Sequence, residues 1–288
     1  MEERLKDSNS MDDIPVFSIS PNPATMFLTP LLKAGTARIK KAIQRKQGLC
    51  MILGGIGLGK SSLLRYVSSN YDMDEEQYSI SYLHDSRKCK SPFDFLKLLG
   101  EDFKISPKRS QLAQMGALEE YLLANYEAKK TTIIFVDEGQ RLPLETLELI
   151  RSLLNFETDT HKLIQFVVAG QLELRDRLLK RQYEPFRSRI VAPLVMQPLT
   201  LDETKKMIQN RVESWDLENP FSPEALSEIY ALSGGVPRSI LLLCQHSVDH
   251  AEANGTKPVS ASDVHAAREA LTLADAATEP VEEYEPVQ

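Results

Sequence analysis

The chain of 288 residues is poor in cysteine, with only Cys50, Cys89 and Cys244 and no C-x-x-C pair. That excludes a disulfide framework and a thiolate zinc site, and it fits a reducing compartment. No apolar run approaches the roughly eighteen residues needed to cross a bilayer, and no signal peptide is visible, so the expectation is a cytoplasmic protein without a membrane partner. Bases are scarce at both ends. Residues 275–288 hold five acids and no base, and residues 1–20 hold five acids against two bases. Setting aside the tail's −5 and the head's −3 from the net −7 leaves residues 21–274 at +1. The acidity therefore belongs to the ends, and the near-neutral body leaves room for local basic patches. With 42% hydrophobic and 26% charged residues, the composition is that of a folded globular chain and excludes a mostly disordered or fibrous one.

Strand and helix patterns alternate over the first two thirds. Leu49–Leu53, Tyr78–Leu83, Thr131–Val136, Leu163–Ala169 and Val191–Met196 read as strands, and the β-branched run at 131–136 is the strongest. Pro193 marks the last of these as a sheet edge, because proline cannot donate to a ladder. Helical periodicity fills the intervals at 30–46, 59–69, 92–103, 111–128, 144–156 and 172–183. This alternation predicts an α/β fold, a parallel sheet covered by helices. From Thr200 only helices remain, at 202–215, 223–232, 237–253 and 261–271, each beside a cap or breaker such as Ser222 or Ser260. The expected organisation is an N-terminal arm (1–22), an α/β domain (23–199), a small helical domain (200–273) and an acidic, disordered tail (274–288).

Two motifs carry chemistry. Gly54–Gly55–Ile56–Gly57–Leu58–Gly59–Lys60–Ser61 matches the G-x-x-x-x-G-K-[ST] phosphate loop, after an apolar strand and before a helix, with Ser62 next to it. Its glycines let backbone N–H groups turn towards phosphate oxygens, and the helix start favours anions. Lys60 is expected on the β/γ-phosphates and Ser61 on Mg²⁺. At the end of the 131–136 strand, Asp137 and Glu138 supply a carboxylate for hydrated Mg²⁺ and one to polarise an attacking water. Together these predict an Mg²⁺-dependent nucleoside triphosphatase, and neither motif identifies the work done. The blander readings, a chance glycine loop and a solvated acid pair, require two coincidences at the right ends of two strands.

Several segments then resemble AAA+ ATPases, and the resemblance covers about residues 17–271. It implies the AAA+ P-loop fold, with a five-stranded parallel sheet flanked by helices and a small C-terminal helical lid. Val167–Gln171 is similar to the strand that carries a γ-phosphate sensor, which implies that role for Gln171. Pro185–Ile190 lies where such proteins place an arginine finger for a neighbouring subunit. Arg189 is preferred and Arg187 is second, although either could be a surface arginine. Gly234–Arg238 resembles a second sensor motif at the start of a lid helix, which implies nucleotide contact by Arg238. Val136–Leu142, Leu153–Thr158 and Ala169–Leu174 are similar to the ExeA/GspA-type ATPases, a group that merges with the TnsC, TniB and MuB type regulators of transposition. Gly139–Gln140 is closer to the secretion-type members. The loop Tyr82–Pro92 resembles that of TnsC-type regulators, where basic residues follow a DNA backbone. That implies DNA contact by Arg87, Lys88 and Lys90, with Lys104, Lys108 and Arg109 as a further row.

The resulting expectation is an AAA+ regulator that forms a ring or helical filament on double-stranded DNA and links a target-selector protein to a transposase. The alternatives are a secretion or envelope-assembly ATPase, or a nucleotide-gated scaffold of a defence system. Secretion-type members usually continue into membrane and wall-binding parts, and the expectation here is that this chain has neither. Other singled-out residues have plain readings. Trp215 suits a core or interface, and His246 with His250 lacks further metal ligands. Cys89, between Lys88 and Lys90, could have a lowered thiol pKa, but a structural role is the simpler one.

Overall fold

A computed structural model describes residues 16–20, 25–72 and 74–275. The acidic tail beyond 275 and most of the N-terminal arm lie outside the described residues. Two compact units emerge, one from residues 21–197 and one that joins residues 16–20 to the chain from 198 onward.

The larger unit is built on β1 (Leu49–Leu53), β2 (Tyr78–Leu83), β3 (Thr131–Val136), β4 (Ile164–Gly170) and β5 (Ile190–Val195). They form one parallel sheet in the order β2-β3-β4-β1-β5. β1 and β4 are buried at every position, which is why both read as unbroken apolar runs. The flanking helices are α1 (Pro30–Gln44), α2 (Lys60–Ser68), α3 (Pro92–Asp102), α4 (Gln111–Glu127), α5 (Leu144–Leu153), α6 (Leu172–Leu179) and the one-turn α7 (Glu184–Arg187). Thr29, Ser91 and Ser110 cap α1, α3 and α4 through their side-chain oxygens, and prolines occupy the first turns of α1 and α3. Phe95 of α3 stacks against Phe166 of β4, with ring centroids 6.5 Å apart, at the centre of the core. The edge reading of β5 holds: it is the outermost strand, and Pro193 is exposed there while pairing in register with Met51.

The smaller unit contains α8 (Leu201–Glu213), α9 (Pro223–Ser233), α10 (Pro237–Ala253) and α11 (Ala261–Asp275). Thr200 and Glu203 form a reciprocal capping box at the start of α8. Phe17 is 4% exposed, and its ring meets Phe221 edge-on at 5.7 Å, so the described end of the N-terminal arm is fastened to the helical unit.

α9 ends on Gly234 in the left-handed region (φ 59°), and Gly235 follows at φ 73°. A Cβ on Gly235 would stand 2.1 Å from the carbonyl oxygen of Leu199, whereas one on Gly234 would meet nothing within 4 Å. Gly235→Ala should therefore destabilise the chain by more than ~2 kcal/mol, and Gly234→Ala by about 1 kcal/mol from backbone strain alone. Denaturant unfolding followed by circular dichroism measures both, and equal effects would count against the close approach to Leu199.

Candidate functional site

All five strands run in one direction, so their C-terminal ends share one edge, and three of those ends build the site. β1 delivers the glycine loop. Gly54 donates to the carbonyl of Gly170 (3.3 Å), and Gly57 and Gly59 adopt φ of 75° and 89°. Leu58 is buried beneath the loop while Ile56 is 74% exposed, so the loop is pinned from below and open above. Gly59 is the N-cap of α2 and no side chain caps this helix. Its first N–H groups, together with Ser61 and Ser62 in its first turn, are therefore available to a phosphate. Lys60 is 7% exposed, and its ammonium donates to the carbonyl of Gly55 at 2.7 Å. Burial lowers the Lys60 pKa below the ordinary 10.5, and the carboxylates of Glu138, Asp137 and Glu173 partly oppose that shift.

β3 delivers the acids. Asp137 is 8% exposed; its N–H donates to the carbonyl of Leu83, and its Oδ1 accepts the N–H of Glu138 at 2.8 Å. Glu138 has φ 54°, a left-handed conformation unusual for a residue with a side chain. This turn aims the two adjacent carboxylates differently. Gly139 must follow without a Cβ, which would lie 2.6 Å from Val168 Cγ1 and 3.1 Å from the carbonyl of Ala169. β4 delivers Gln171, the N-cap of α6. The structure thus gathers Gly54–Ser62, Asp137, Glu138 and Gln171 at one edge.

Within the same unit it does not gather Arg187 and Arg189 there. Ile190 pairs with Leu49, so Arg189 stands at the N-terminal ends of the strands. The five residues of β1, about 16 Å, separate that end from the glycine loop. The Arg187 guanidinium donates to the carbonyls of Leu178 (2.9 Å) and Leu179 (3.1 Å), closing the end of α6 within its own chain. Arg238 is exposed in the first turn of α10, in the helical unit.

The expected DNA row is also divided. Residues 86–88 form a short 3-10 turn just after β2, at the glycine-loop edge, with Lys88 and Lys90 exposed. Arg87 is already paired with Asp85, Nε to Oδ1 at 2.9 Å and Nη2 to Oδ2 at 3.0 Å. Lys104, by contrast, follows α3, so eleven helical residues, about 16 Å, separate it from Lys90. It lines a cavity of about 520 Å³ with Asp72, Glu75, Asp102 and Lys130, where acids and bases are mixed. The lowered thiol pKa considered for Cys89 is also overturned. The residue is 2% exposed, and burial, with smaller contributions from Asp94 and Asp85, pushes its pKa up to about 11.

Residues 43–178 match the family model of the AAA domain. The chain is 30% identical over 253 residues to general secretion pathway protein A of Aeromonas hydrophila, covering 87% of this chain and 45% of that relative. It spans less than half the length of the curated relatives it matches. Among solved structures, the Aeropyrum pernix ORC1 protein in complex with DNA superposes with a TM-score of 0.64 at 16% identity, covering 89% of this chain and 68% of that one. The Thermotoga maritima RuvB Holliday junction branch migration motor superposes with a TM-score of 0.53 at 20% identity, covering 88% and 73%. The fold is the AAA+ P-loop fold. Among the described residues, no helix is long and apolar enough to cross a membrane.

Reading from residues alone missed Gln140, Arg177 and Ser86. Gln140 Oε1 accepts the Gln171 N–H, Arg177 donates to the carbonyls of Gln140 and Leu142, and the buried Ser86 hydroxyl donates to the carbonyl of Asp137 at 2.5 Å. Only the position of Gln140, two residues past the acid pair, could have drawn attention in the sequence.

The lowered Lys60 pKa has a measurable consequence. The ammonium is the phosphate-binding form, so Mg-ATP affinity should be flat near neutral pH. It should then fall as pH rises through the depressed pKa, before the ordinary lysine range near 10.5. Calorimetric titration across that range tests this, and unchanged affinity up to 10.5 would contradict it.

Proposed function

We propose that this chain is an ATP-driven regulator that assembles on double-stranded DNA, as a ring or helical filament, and links a target-selector protein to a transposase. In this reading Gly54–Ser62 cradle the phosphates, Asp137 and Ser61 hold Mg²⁺, Glu138 is the general base and Gln171 senses the γ-phosphate. Arg238 contacts the nucleotide from the lid, and Arg189 serves the neighbouring subunit. The observation that carries the proposal is the hydrogen bond from Ser86 to the carbonyl of Asp137. It fastens the basic turn at Lys88 to the residue proposed to hold the metal, so the backbone contact and the nucleotide site share one strand end. The location is proposed to be the cytoplasm.

The position of Arg189 supports obligatory assembly. A guanidinium at the far ends of the strands cannot reach its own glycine loop, so a neighbour's must complete each site. Arg187 is the weaker finger, because its donors already close α6.

A specific observation also favours a second reading, a secretion-type ATPase: the 30% identity over 87% of the chain to general secretion pathway protein A. DNA separates the two. With a slowly hydrolysed ATP analogue, electrophoretic shifts should show duplex binding that weakens steeply with salt. Lys88→Glu should abolish that binding, while Lys104→Glu should leave it within about twofold, given that Lys104 follows the far end of α3. Absence of any shift at low salt, with ATP turnover indifferent to DNA, would favour the secretion reading.

Arg189→Ala should keep ATP binding and lose on the order of 10³-fold in turnover. Glu138→Gln should be equally inactive. Mixing the two variants creates interfaces that pair an intact Arg189 with an intact Glu138, so part of the activity should return. Failure of the mixture to recover would remove Arg189 from the neighbour's site.

A further inference from the structure

The acid proposed as the base is not free in this structure. Glu138 Oε2 accepts a hydrogen bond from Gln140 Nε2 at 2.6 Å and a second from Arg141 Nε at 3.2 Å. The other end of the same Gln140 amide, Oε1, accepts the backbone N–H of Gln171 at 3.0 Å. The partners fix the amide orientation, because an ionised carboxylate can only accept and a backbone N–H can only donate. One side chain therefore spans the ends of β3 and β4, joining the acid to the strand end that carries the proposed γ-phosphate sensor.

The backbone beneath this bridge is held from a second element. Arg177 of α6 donates through Nη1 to the carbonyl of Gln140 (3.4 Å) and through Nη2 to that of Leu142 (3.0 Å). Gly139 is packed against Val168 and Ala169 with no room for a Cβ. The loop from Glu138 to Leu142 is thus fastened on the β4–α6 side. Both donors to Glu138 use Oε2, which leaves Oε1 as the oxygen that can take a proton from water.

We propose that Gln140 is a positioning residue for hydrolysis: its amide couples the carboxylate of Glu138 to the backbone of Gln171. A change at the Gln171 position when a γ-phosphate arrives or leaves is then transmitted to the base. This rests on the reading of Glu138 as general base. No other side chain type of this length does the same. Leucine makes neither bond. Glutamate keeps only the acceptor half and sets a second carboxylate against the first.

The test uses the full chain, with ATP turnover and fluorescent-ATP binding measured in parallel. Gln140→Leu is expected to lower kcat by about tenfold to a hundredfold, the effect of misplacing a reacting group by an ångström or less. KM and nucleotide affinity should stay within about twofold. Gln140→Glu, which keeps a polar side chain at the loop, should show the same split. In a Glu138→Gln background, Gln140→Leu should add nothing further, because the group it positions is gone. Full kcat in both Gln140 variants overturns the proposal, as does parallel loss of affinity and kcat, or losses that multiply in the double variant. Full-rate hydrolysis by Glu138→Gln alone overturns the base assignment instead, a result distinct from failure of Gln140.

Discussion

The site depends on one constraint, that five parallel strands must all end at the same edge. A parallel ladder cannot be closed by tight turns, so each strand is followed by a helix that returns the chain to the opposite edge. Whatever follows β1, β3 and β4 is therefore collected in one place: a glycine loop, two carboxylates and Gln171. The same constraint sends whatever precedes a strand to the far edge. Arg189 immediately precedes β5 and is removed from its own phosphate loop by topology alone.

Within the collected edge, burial sets the electrostatics. Lys60 lies below the loop surface with Asp137, Glu138 and Glu173 as its charged surroundings. A lysine so placed carries a desolvation cost that a triphosphate would relieve, because the phosphate charges favour the ammonium. The acids that already surround Lys60 oppose that lowering. Asp137 is as buried as Lys60, yet the N–H of Glu138 satisfies its Oδ1, so the carboxylate is held by backbone geometry rather than by a cation.

The fold was largely legible in the sequence because strands buried on both faces leave unbroken apolar runs, and β1 and β3 stood at their observed limits before any coordinates. The phosphate loop was legible because its glycines serve local backbone needs, visible at Gly57 and Gly59. Tertiary hydrogen bonds were not legible. Arg187 and Arg189 are two residues apart and chemically identical, and only the closing of α6 by one of them separates their roles. The length of α3, which sets Lys104 apart from the turn at Lys88, fits its reading as a further row. The structural reading of Cys89 is the one its burial supports: its side chain points into the core while those of Lys88 and Lys90 are exposed, and desolvation raises its pKa. Gln140 is one polar residue among many until its two partners are seen on different strands.

The charge balance bears on how duplex DNA could be held, if that is the ligand. Of the three bases on the turn after β2, Arg87 is engaged by Asp85 through two hydrogen bonds, which leaves Lys88 and Lys90 as each subunit's uncommitted charge there. Two phosphate contacts give weak, salt-sensitive binding, and a chain of net charge −7 adds long-range repulsion. Repeating the pair along a filament multiplies contacts without any change to the subunit, and the effective concentration of each successive turn is set by the assembly. Affinity would then be a property of the ATP-bound oligomer rather than of the chain. Each turn would also remain tied through Ser86 to Asp137, the residue proposed to hold the metal, so loss of nucleotide and loss of DNA contact would share a mechanical origin at the end of β3.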